Sequence, residues 1–79
     1  MDADPGDHRL SRIASIEVKV WMARRGIGTQ ELAQAVGVSR QAMSARLTGR
    51  TQWTVDDLAA AAEALHVPVA ELLTSPTGK

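Results

Sequence analysis

A chain of 79 residues has room for one domain and one modest core, and at that size only about 60–65% of the unfolded chain's surface is buried on folding. The absence of cysteine excludes disulfides and thiolate metal sites, so stability must come from regular packing, with or without help from a partner chain. The formal net charge of +0 conceals a split: residues 1–8 carry −3, residues 9–53 carry eight cations against Glu17 and Glu31 for a balance of +6, and residues 54–79 return to −3. A basic middle between acidic ends suits a polyanion on one face, although mixed charge is also ordinary surface decoration.

The start of the chain is acidic and lacks the apolar stretch of a signal peptide, and no run approaches the ~20 apolar residues of a membrane span. A cytoplasmic protein with no membrane association is expected. Proline stands only at 5, 68 and 76, Phe and Tyr are absent, and alternating apolar patterns are rare. Helices are therefore expected throughout and strands are not.

In chain order, residues 1–8 read as a disordered acidic tail, 9–74 as the folded domain and 75–79 as a flexible tail. A first helix is predicted over 10–25. Ile13, Ile16, Val20 and Ala23 share its inward face, with Leu10 and Trp21 on the edge. Val18 and Met22, four apart on another side, fit either extra core or a dimer contact. Gly26 stops this helix behind Arg24 and Arg25, whose charges suit a C-terminus. Gly28 or Thr29 caps a short second helix over 30–36, with Leu32, Ala33 and Val36 inward. Gly37 stops it, and Ser39 is an N-cap for a third helix from Arg40 to 47 or 48. Met43 and Leu47 form the buried stripe of that helix, and Gly49 closes it. Trp53 is expected in the core, just ahead of the capping box of Thr54 and Asp57. The fourth helix then runs over 55–65, with Leu58, Ala61, Ala62 and Leu65 inward. His66 and Val67 end it, and Pro68 opens a fifth, to about 73. The expectation is an all-α bundle of five helices.

The stretch from Thr29 to Gly49 carries the functional signal. Ala33 is small where the third helix crosses close by. Gly37 stands where a tight turn needs positive φ, which glycine adopts at little cost. Val38 fills the angle between the two helices. Arg40, Gln41, Ser44 and Ala45 are left on the outward side of the third helix. Two helices at a wide angle around a short glycine turn are the helix-turn-helix arrangement, whose second helix enters the DNA major groove.

Over Val18 to Leu73 the sequence resembles the Cro and phage-repressor helix-turn-helix family, also called the xenobiotic-response-element family. GVSRQAMSARLTGR resembles its recognition-helix segment, and TVDDLAAAAEALHVPVAELL its two closing helices. The chain departs from many members at Thr29 (commonly Gln), Arg46 (commonly apolar) and Leu47 (commonly acidic). The resemblance implies a five-helix DNA-binding domain of the phage-repressor type and double-stranded DNA as partner. It implies base reading by Arg40, to guanine, and Gln41, to adenine, with Ser44 and Ala45 a turn deeper. It implies phosphate contacts by Thr29, Gln30, Ser39 and Arg50, partly through helix N-terminal N–H groups, with Arg46 reaching backbone or bases.

His8 and His66 lack metal-ligand spacing, Gly26-Ile27-Gly28 follows no strand, and no nucleophile has a base and orienting acid at usable spacing. No enzyme, metal or cofactor is expected. The functional expectation is a sequence-specific regulator, a phage or prokaryotic repressor acting by operator occupancy as a homodimer, weak or formed on DNA. The dimer contact would use Val18 and Met22, or the fifth helix through Val69 and Leu73. Alternatives are an antitoxin or recombination-directionality factor with the same fold, a protein-interaction module without DNA binding, and the N-terminal domain of a longer repressor.

Overall fold

The computed structural model describes residues 5–74. They form five α-helices: α1 Pro5–Arg25, α2 Thr29–Val36, α3 Arg40–Leu47, α4 Val55–Leu65 and α5 Val69–Leu72. The α3 and α4 bounds coincide with the sequence reading. Helix α1 begins five residues earlier than expected, at Pro5. A proline at the first helical position gives up an N–H that has no intrahelical partner there, and its fixed φ already suits the helix. The rest of the predicted tails, 1–4 and 75–79, lies outside the described residues.

The core is one cluster in which Val18, Leu32, Met43, Leu65 and Leu72 are fully buried. Helix α2 packs on α3 and α4, while α1 lies across α3, α4 and α5. Within α2, α3 and α4 the expected inward residues are buried, with Val36 half-buried, and Trp53 is in the core.

Helix α1 is turned relative to its hydrophobic pattern. Its buried apolar residues are Ala14, Val18 and Met22, whereas Ile16 is 57% exposed and Leu10 45% exposed. Ala23 is also exposed, and Ile13 and Val20 are half-buried. Buried with Ala14, Val18 and Met22 are Ser15 and Glu17, and half-buried Ser11 and exposed Arg25 continue the same side at either end, where two serines and an arginine have polar work. The Ser11 hydroxyl accepts the Trp53 backbone N–H at 2.9 Å, and the Ser15 hydroxyl accepts from Trp53 Nε1 at 3.1 Å. Arg25 donates from Nε to the Leu65 carbonyl at 2.9 Å and from Nη2 to the His66 carbonyl at 3.3 Å. It thus caps α4 rather than its own helix. Both Arg24 and Arg25 also lie over the half-buried Trp21 ring, 4.9 and 5.0 Å from its centre. Val18 and Met22 are core, which removes them as a dimer contact.

Helix α4 ends on His66 at φ 61, the one non-glycine residue with positive φ among the described residues. The left-handed turn lets the Val67 N–H reach back to the Ala62 carbonyl at 3.0 Å. A Cβ makes this conformation costly, by roughly 1–2 kcal/mol, part of which the entropy of an unfolded glycine would offset. His66→Gly is therefore expected to stabilise the protein by about 0.5–1 kcal/mol, seen as a higher urea midpoint at unchanged slope.

Candidate nucleic-acid interface

The turn between α2 and α3 has three residues, each with one role. Gly37 adopts φ 90 and donates its N–H to the Ala33 carbonyl at 2.8 Å. Val38 donates to the same carbonyl at 3.0 Å and packs its half-buried side chain on the core. Ser39 starts α3 by accepting the Ala42 N–H on its hydroxyl oxygen at 3.0 Å. Met43 and Leu47 then fasten α3 to the core. By helical register Arg40, Gln41 and Ser44 face outward, and all three are exposed.

These side chains share a surface with the start of α2. One shallow groove is lined by Thr29, Arg40, Gln41 and Ser44, and a second by Gly28, Thr29, Gln30, Glu31, Gln34 and Arg40. The N-terminal ends of two helices thus open onto the same region, with a cation between them. Helix α2 has Gly28 as its N-cap, so no side chain accepts its first N–H groups; Glu31 reaches back to the Gly28 N–H at 3.5 Å. Ser39 uses its oxygen for the cap and keeps its hydroxyl hydrogen to donate. Ala45 is half-buried, at the margin of the outward face. Its carbonyl accepts the N–H groups of Arg50 and Thr51 at 2.9 and 3.2 Å, which folds the loop after Gly49 back on the helix and leaves Arg50 exposed.

Arg46, expected to reach backbone or bases, has a structural partner within the fold. Its Nε donates to Asp57 Oδ2 at 2.7 Å and its Nη1 to the Ala42 carbonyl at 3.0 Å, with only 14% of the side chain exposed. The guanidinium joins α3 to α4. The same Asp57 oxygen accepts the Thr54 N–H at 3.2 Å, while the Thr54 hydroxyl accepts the Asp57 N–H at 3.0 Å, completing the expected capping box. From the other side, the Ser15 hydroxyl donates to the Arg46 carbonyl at 2.6 Å. The C-terminal end of α3 is thus held by α1 through its backbone and by α4 through a side chain.

The family model of a helix-turn-helix domain matches residues 14–74. The chain belongs to the helix-turn-helix family. Among solved structures, it is similar to the clp gene regulator ClgR of Corynebacterium glutamicum, with 30% identity, TM-score 0.76, and coverage of 81% of this chain and 68% of that one. It is also similar to the hypothetical transcription factor NHTF from Neisseria, at 25% identity and TM-score 0.79 over 96% of this chain and 86% of that one. The SOS-response transcriptional repressor LexA from Eubacterium rectale shares the fold, at 19% identity and TM-score 0.76 over 100% of this chain and 80% of that one. No curated protein sequence matches the chain. Family and fold together make this helix-turn-helix protein a DNA-binding regulator of transcription. No described helix is long and apolar enough to cross a membrane.

Burial pulls the Asp57 carboxyl upward, but the bond from Arg46, those from Thr54 and the guanidinium charge outweigh it, leaving its pKa below the ordinary value. A depressed folded-state pKa contributes stability that is present above the unfolded value, about 4, and is lost as pH falls through the lower folded value. Asp57→Asn is expected to cost about 1–2 kcal/mol at pH 7. The gap to wild type should close as the pH falls below about 4, in thermal unfolding recorded from pH 7 to pH 2.

Proposed function

We propose that this protein is a repressor that occupies a specific duplex operator and blocks polymerase there. In this reading Arg40, Gln41 and Ser44 meet base edges in the major groove, with Ala45 at the margin. Thr29, Gln30, Ser39 and Arg50 meet phosphates. The observation that carries it is the common surface of Thr29, Arg40, Gln41 and Ser44 at two helix N-termini, where N–H groups and a cation favour phosphate and outward side chains reach the bases. A cytoplasmic location and a role without catalysis or cofactor belong to the same reading.

One such module offers about 600–1,000 Å² of interface, too little for tight specific binding alone. Two copies on a palindrome, about one helical turn apart, supply the remainder. With Val18 and Met22 in the core, the surface proposed for this weak homodimer is the one around α5. There Val69 is 38% exposed, and a groove lies among Leu10, Trp53, Val55, Leu58 and Leu73.

The test is selection from a random duplex library, with selected sites retested across salt concentrations. A palindromic motif with a steep loss of affinity in salt supports the reading and gives the half-site spacing. Salt-sensitive binding without a motif would replace it with a non-specific architectural role, and no binding at low salt with a protein-interaction module. On the selected site, Arg40→Ala is expected to cost about 1–3 kcal/mol and to relax preference at one base pair. Equal weakening on all sequences would demote Arg40 to a phosphate contact.

A further inference from the structure

Helix α1 presents an outward row of Arg9, Arg12, Ile16, Lys19 and Ala23, spaced three and four apart, with no acidic member. All five are exposed. The expected hydrophobic face of α1 fell partly on this row, and the packing leaves it in solvent instead. Part of it forms the wall of a groove lined by Arg12, Ser15, Ile16, Lys19, Leu47, Thr48 and Gly49. On the α3 side, Gln41, Ser44 and Thr48 follow one another on one helical face, at intervals of three and four residues. The groove therefore begins where the base-reading face ends, beside the loop that carries Arg50. The grooves around Thr29 lie at the opposite, N-terminal end of that face.

We infer that the Arg12–Lys19 face of α1 is a second contact for the DNA backbone, beyond the helix-turn-helix itself. This rests on the DNA-binding reading above. The partner is fixed by charge and continuity. Two cations about two turns apart on α1 stand over a groove contiguous with the surface assigned to DNA, and phosphates lie along the edges of the major groove that α3 would occupy. Exposed Ile16 lies between the cations, where it would pack against the apolar face of a deoxyribose. Contacts of this kind add affinity and orientation without reading sequence.

The experiment compares wild type with Arg12→Gln/Lys19→Gln on the selected duplex and on a panel of single-base variants, from low to physiological salt. Circular dichroism and thermal unfolding check that the fold is kept. The double variant is expected to bind about tenfold more weakly at physiological salt and to lose about 1.8 from the slope of log K against log salt, since each phosphate contact contributes about 0.9. The ranking of the sequence panel should not change. Arg12→Lys, which keeps the charge, is expected to keep the slope. An unchanged affinity and slope in the double variant, with wild type binding normally, overturns the inference and leaves the face to an acidic protein partner. A wild type that binds no duplex overturns the DNA-binding reading itself, and is told apart by that.

Discussion

The left-handed turn at Gly37 is the constraint on which the rest of the surface depends. It reverses the chain in three residues, so that one carbonyl, that of Ala33, takes both the Gly37 and Val38 N–H groups, and the next residue already caps α3. The short link sets the start of α3 beside the end of α2 and fixes how α3 lies against it, and Arg40 and Thr29 line one groove. A residue with a Cβ at Gly37 would meet no neighbouring atom. The constraint is therefore on backbone torsion, and any side chain there would push φ 90 toward values that reopen the turn.

The far end of α3 is fixed by a different means. Where the turn uses backbone geometry, the C-terminal end uses two polar side chains from other helices, Ser15 on its backbone and Asp57 on Arg46. Trp53 ties these together, because its ring N–H donates to the same Ser15 oxygen and its backbone N–H to Ser11. Asp57 is efficient in this arrangement: one carboxylate oxygen serves both the α4 cap and the bridge to α3. A charge partly removed from water is tolerated there because its donors surround it.

Helices α2, α3 and α4 were legible in the sequence because their ends are written in caps and glycines and their inward faces in aliphatic residues. Ser39, Thr54 with Asp57, and Gly49 all act as their local chemistry dictates. The outward positions of Arg40, Gln41 and Ser44 followed from the same register. Helix α1 was misread because hydrophobicity is a poor guide when the inward side carries hydrogen-bonding serines and ends on an exposed arginine that caps a neighbouring helix. Ile16 drew the predicted face toward solvent, and Ser11 and Ser15, four apart, were the overlooked signal. The bridge from Arg46 was missed for a related reason. An arginine at the end of a recognition helix has the right charge for DNA, and only the fold brings Asp57 within 2.7 Å of it. His66 was expected at a helix end; its positive φ was not visible from residue type.

Both ends of α3 are held by groups other than its outward side chains, and Arg40, Gln41 and Ser44 are exposed. The scaffold therefore behaves as a holder with an exchangeable outer face. Evolution, or an engineer, can diversify those three positions without first finding compensating changes in the core.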